Sequence, residues 1–159
     1  MRSHSEYLTA FLLSLLIVNF SPLIHAQELD PDPNYTYFLV TPHEERDSYV
    51  LPLIEESDIA RARAIIEMNG SGCSTIVVAR IEEGHGNCNR DLINGRIWSW
   101  HVSEFLGFAD MTAEVLDGTP TWVEEDLDYW LSLGMIGFWS YTASRELTLE
   151  EVRSGVLGP

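Results

Sequence analysis

"RIWSWHVSEFLGFADMTAEVLD", residues 96–117, is the stretch on which the fold turns. Its opening alternates: Trp98, Trp100 and Val102 share one face, and Ile97, Ser99 and His101 share the other. Its closing half alternates as cleanly. Ala109, Met111, Ala113 and Val115 lie on one side, and Asp110, Thr112 and Glu114 on the other. Between them, "SEFLG" turns the chain. The stretch therefore reads as two strands of an antiparallel hairpin. Its apolar face places Trp98, Trp100 and Val115 in the core. Its far face gathers Ser99, His101, Asp110, Thr112 and Glu114, with the register, and so the acid facing His101, left open.

The neighbouring segments fall into place around that hairpin. "TYFLVT" (36–41) and "SYVLPLI" (48–54) are rich in aromatic and β-branched residues and read as a first hairpin. "EESDIARARAIIEMNG" (55–70) reads as a helix capped by Ser57 or Asp58 and stopped at Asn69-Gly70. Its apolar face is Ile59, Ala62 and Ile66, widened by Ile65. "STIVVARIE" (74–82) is a third strand, and the polar "EGHGNCNRDLING" (83–95) is a long loop. A helix over 119–133 begins with Thr119 as cap and Pro120 in its first turn, and Gly134 ends it. Val123, Leu127, Trp130 and Leu131 face the sheet, while Trp122 and Tyr129 lie away from it, at the core margin or as exposed anchors. "MIGFWSYTASREL" (135–147) is a last strand that brings Trp139 to the core, and "TLEEVRSG" (148–155) adds a helical turn. The order ββαβββαβ predicts an α+β domain: a mainly antiparallel sheet of about six strands with two helices on one face.

The N-terminus stands apart from this domain. A polar segment with Arg2 precedes a 13-residue apolar run at 8–20, and "SPLIHA" leads to Ala26. That is the grammar of a secretory signal over 1–26, cut after Ala26. The run is short of the roughly 20 residues that span a membrane, and an uncleaved anchor is the alternative. A flexible acidic leader (27–35), a single domain (36–147) and a tail (148–159) follow. The expected location is secreted or periplasmic.

Charge excludes whole classes of partner. All nine basic residues are Arg, and the net charge is −16. Loss of 1–26 removes Arg2 and Glu6 and leaves that charge unchanged. Nucleic acid and anionic lipid surfaces repel such a chain. Cys73 and Cys88 form a disulfide in an oxidising compartment, contributing about 3 kcal/mol, or are two free buried thiols. They carry no zinc-ligand pattern.

The chemistry-bearing residues are few. His101 with Asp110 and Glu114 is a weak candidate for acid–base or metal chemistry. The plainer reading, a solvent-facing strand pair, outweighs it. Gly-x-Ser-x-Gly, His-Glu-x-x-His and phosphate loops are missing from the sequence, as is a twelve-residue calcium loop. No cofactor and no metal site are expected. His85, Asn87, Asn89 and Arg90 in the loop 84–95 are the expected binding residues, and Leu127, Trp130 and Trp139 complete the expected core. Asn34 and Asn69 fit the glycosylation acceptor pattern.

From residue 37 to 147 the chain resembles the domain found at the N-terminus of an amoebal calmodulin-binding protein, which also occurs as small exported bacterial proteins. The resemblance rests on "YFLV", "DIARARAII", "WSWHV", "FADMTAEVLDGTPTWVEEDLDYW" and "FWSYTASREL" in that order. Family members commonly read Val-Cys-Asp where this chain has Val115-Leu116-Asp117. They often read Cys-Pro-Trp where it has Gly137-Phe138-Trp139. The family's usual cysteine pair is therefore not inherited. The resemblance implies a fold and no activity. Calmodulin binding is not supported, because calmodulin takes basic amphipathic helices and the helix over 119–133 is acidic.

These readings lead to an exported, acidic, non-enzymatic binding module for an unknown extracellular protein or ligand. A secreted hydrolase inhibitor, with loop 84–95 as its contact, is one version. The alternative is a small hydrolase or metal-dependent enzyme using His101 with Asp110 or Glu114.

Overall fold

A computed structural model describes residues 30–159 apart from 45, 70, 73, 87 and 88. The expected signal segment and both cysteines lie outside the described residues.

The first hairpin forms as its composition dictates. β1 (Thr36–Thr41) and β2 (Tyr49–Leu53) run antiparallel, with Phe38 opposite Leu51 and Val40 opposite Tyr49. Pro52 has no N–H to donate, and β2 lies at a sheet edge where none is needed. The middle of β1, Tyr37 to Val40, is apolar because both of its faces are covered. Phe38 and Val40 enter the main core, whereas Tyr37 and Leu39 enter a second cluster with Val50, Leu92, Leu147 and Val152.

Helix α1 (Glu56–Glu67) buries Ile59, Ala62 and Ile65. It starts earlier than its sequence signals imply. Glu55 is the cap and makes no side-chain capping bond, so Ser57 and Asp58 fall inside the first turn. β3 (Ile76–Glu83) follows as expected.

The stretch 96–117 departs from the hairpin reading. β4 (Arg90–Asp91), inside what reads as a loop, forms a small hairpin with β5 (Arg96–Ile97), closed by Gly95 N donating to Asp91 O at 2.7 Å. β6 (Trp100–Ala109) then runs straight through "SEFLG". It pairs antiparallel with β3 from Glu83–Trp100 to Ile76–Ala109, and the register slips twice. These slips absorb the residues that look like a turn: a bulge adds a residue and bends the strand without ending it. After β6, residues 110–113 form no regular element, and a 3-10 turn (Glu114–Leu116) stands where a fifth strand was expected.

The expected helix over 119–133 is two: α2 (Pro120–Glu125) and α3 (Leu127–Leu133), broken at Asp126 with φ −138°. Thr119 caps α2, its side chain accepting from Trp122 N at 3.1 Å. The last strand is also divided. β7 (Met135–Ile136) pairs with β3, while β8 (Thr142–Leu147) pairs with β1. α4 (Leu149–Ser154) closes the described chain with a complete capping box between Thr148 and Glu151.

Among the described residues, eight strands sort into three sheets: β2-β1-β8, β6-β3-β7 and β4-β5. The class is α+β with antiparallel pairing, as expected. The single six-stranded sheet is not formed, because the segment after Ile136 crosses from β3 to β1. The core keeps Trp98, Trp100 and Trp130, with Leu127 packed at its edge. Val115 and Trp139, expected there, are about half exposed. Each sits in a connection, outside the alternation that would have buried it.

Candidate functional site

His101 sits on the second residue of β6, between the buried Trp100 and Val102, so strand alternation turns it away from the core. Its cross-strand partner is Glu82. Two glycines fix the ring. Gly84 O lies 3.0 Å from Nδ1. A carbonyl only accepts, so Nδ1 is assigned the hydrogen and Nε2 of the neutral ring is left as an acceptor. Gly86, at φ +49°, lies flat against the imidazole, and a Cβ there would overlap the ring. Only glycine satisfies both demands.

The ring forms one wall of a cleft of about 630 Å³. Glu82 and Glu104 enter it from the paired strands, Glu55 and Asp58 from the start of α1, and Tyr35 and Phe105 supply aromatic surface. Glu104 pairs with Arg80 at 2.9 Å. Glu55, Asp58 and Glu82 have no basic partner among the described residues. Among the described residues, no arginine lines the cleft, and His101 is the one basic side chain beside its four carboxylates.

Asp110 and Glu114 are not there. Asp110 follows the far end of β6; β3 spans six residues between the partners of His101 and Ala109, which at roughly 3.3 Å per residue places Asp110 more than about 20 Å away along the strand. Its Oδ1 accepts from the backbone N–H and the hydroxyl of Ser74, a residue held at φ +58°. Glu114 opens the 3-10 turn. The shared face expected for His101, Asp110 and Glu114 required a hairpin, and one continuous strand replaces it.

The loop 84–95 is anchored more than displayed. His85 is exposed, with Nδ1 3.0 Å from Trp98 O. Asn89 is buried and bridges two strands: its Oδ1 accepts from Val50 N at 3.0 Å and its Nδ2 donates to Trp100 O at 2.7 Å. That work withdraws it from ligand binding. Arg90 is half-buried against Gly155. Asn87, with Cys73 and Cys88, lies outside the described residues.

Sequence reasoning passed over a buried polar knot that braces this region. Asp91, fully buried, accepts at Oδ1 from Ser48 N and Oγ, both at 3.1 Å, and from Ile93 N and Asn94 N, both at 3.3 Å. Its Oδ2 accepts from Asn94 Nδ2 at 2.8 Å and from Arg96 Nη2 at 2.9 Å. Ser48 O in turn accepts from Trp98 Nε1 at 2.8 Å. Asp47 accepts from Thr121 and from the buried Tyr141 hydroxyl, whose pKa burial and then Asp47 push far above the usual phenol value. The Asp91-x-x-Asn94-Gly95 pattern was the available signal, being the chemistry of a tight turn.

Among the described residues, no group of three or more His, Cys, Asp or Glu side chains is placed to hold a metal ion. No helix among them is long and apolar enough to cross a membrane.

The model of one protein family, the BP-74 N-terminal domain, matches residues 34–150. No curated protein and no solved structure matches the chain.

Proposed function

The chain belongs to the BP-74 N-terminal domain family, and we propose, from its own cleft and charge, that it acts as an exported, non-enzymatic binding module for a basic segment of another protein. The observation that carries this reading is the cleft beside His101. It is concave, holds three carboxylates without a basic partner among the described residues, and belongs to a chain of net charge −16. Carboxylates held close together with no internal counter-charge repel one another, and an incoming cation relieves that repulsion. The N-terminal signal pattern supports export. In this reading, Gly86 lines the cleft beside His101, and the loop is not itself the contact. The enzyme alternative keeps His101 but loses both acids assigned to it.

Calorimetric titration with a basic peptide tests the proposal. Binding that weakens with salt, and that falls about tenfold or more in the double variant D58N/E82Q, is expected. Unchanged affinity in that variant would refute the cleft as the site. Turnover of any substrate that is lost in His101→Ala with the fold intact would restore the enzyme reading.

A further inference from the structure

The break at Asp126 opens a second recess, a groove of about 380 Å³ between the 3-10 turn and helices α2 and α3. Two exposed aromatic side chains border it, beside the buried Trp130. Trp122 is 56% exposed and Tyr129 is 45% exposed, on a domain that buries most of its large aromatics. Tyr129 packs edge-on against Trp130 at 5.7 Å, so its outer face stays free. The groove is shaped for closeness. A Cβ at Gly118 would stand 2.8 Å from the Trp130 ring and 3.3 Å from that of Trp122. Only the bare backbone there lets both indoles close in.

The rim is negative. Asp117 is engaged, accepting from Gly118 N at 3.0 Å and Trp139 N at 2.8 Å. Glu114, Glu125 and Asp126 also line the groove and bond to no basic side chain among the described residues, and no arginine lines it. An apolar partner would bury these carboxylates unpaired, at high cost. A cation with a flat apolar face meets both demands, covering the aromatic rings while its donors reach the acids. The guanidinium has that form, stacking on indole or phenol and forking onto carboxylate. An ammonium has no plane to stack, and a quaternary ammonium has no proton to donate.

We propose that this groove is an interaction surface for an arginine-bearing segment of a partner protein. The inference rests on the basic partner argued above and adds a second contact that selects arginine.

Titration of the purified chain with an Arg-Gly repeat peptide, a Lys-Gly repeat peptide and choline, followed by calorimetry and tryptophan fluorescence, is the test. W122A changes an exposed side chain and should keep the fold, checked by circular dichroism. It is expected to weaken the Arg-Gly peptide about tenfold, as is E125Q/D126N, and the Lys-Gly peptide should bind several-fold more weakly than Arg-Gly. W122A affinity within about twofold of the original chain, or equal binding of Lys-Gly or choline, would overturn the proposal. If W122A has no effect while D58N/E82Q abolishes binding, the groove falls and the cleft reading stands. If no peptide binds the unaltered chain, both fall.

Discussion

Replacing Asp91 by Asn removes one charge and alters almost no volume, so it isolates the polar knot from packing. The carboxylate meets donors on every side: four at Oδ1 from Ser48, Ile93 and Asn94, and both Asn94 Nδ2 and Arg96 at Oδ2. An amide must turn its NH₂ toward one of these sets, so either orientation sets donor against donor. Removing one member of a buried, hydrogen-bonded ion pair costs about 3–5 kcal/mol. Arg96 is 46% exposed and rehydrates in part, which favours the lower end, about 3 kcal/mol. For a domain of this size that lowers Tm by about 10 °C. Arg96→Ala is the control. It leaves Asp91 with its other donors and removes a half-exposed partner together with its stacking on Trp98 and its bond to Thr121, so about 1 kcal/mol is expected. Urea unfolding followed by tryptophan fluorescence, with Trp98 beside the knot, measures both. Equal losses in the two variants, or a D91N loss under about 1 kcal/mol, would refute the account of Asp91 as the brace of residues 84–95.

The other predictions are smaller. Gly86→Ala combines a left-handed φ with overlap on the His101 ring, and should cost about 2–4 kcal/mol while shifting the His101 ring resonances in NMR; unmoved resonances would contradict the close contact. Burial raises the Glu151 pKa, yet hydrogen bonds from Thr148 and Gly158 and the charge of Arg145 outweigh it and leave the carboxyl below the ordinary 4.5. Its stabilising effect is therefore present above the unfolded pKa and is lost as pH falls through the lowered native value. Glu151→Gln should flatten the acid side of a Tm-versus-pH curve, and an unchanged slope would remove the linkage. Trp98→Ala should cost about 3–5 kcal/mol and Trp139→Ala under about 0.5 kcal/mol in denaturant unfolding, because one ring is buried and the other about half exposed.

The legible parts of this fold were those decided locally. The first hairpin announces itself because β1 is apolar on both faces, and Trp98, Trp100 and Val102 alternate as a half-buried strand must. Thr119 caps because a hydroxyl ahead of a helix has an orphan N–H to meet. The misreading of 96–117 has one physical source. Alternation tells which residues share a face but not whether a pentapeptide that breaks the pattern turns or bulges, and that is decided by β3, a strand well upstream. Once β6 runs on, Asp110 and Glu114 leave His101, and Glu82, Glu55 and Asp58 take their place from elements that sequence spacing does not connect. The groove at Trp122 was half visible. Both aromatics stand off the helix face that packs, whereas the break at Asp126 that opens the groove has neither Gly nor Pro to signal it.

The pairing of β1 with β8 sets the order in which the molecule can be completed. Tyr37 lies opposite Leu147, and the second apolar cluster joins the first strand to α4. During synthesis β1 and β2 emerge early, but one edge of their sheet stays without its neighbour until β8 has followed. Closing so long a span is entropically slow. A chain halted before Thr142 would therefore hold β1 with one open edge, a row of unpaired backbone donors and acceptors that invites a strand of another molecule.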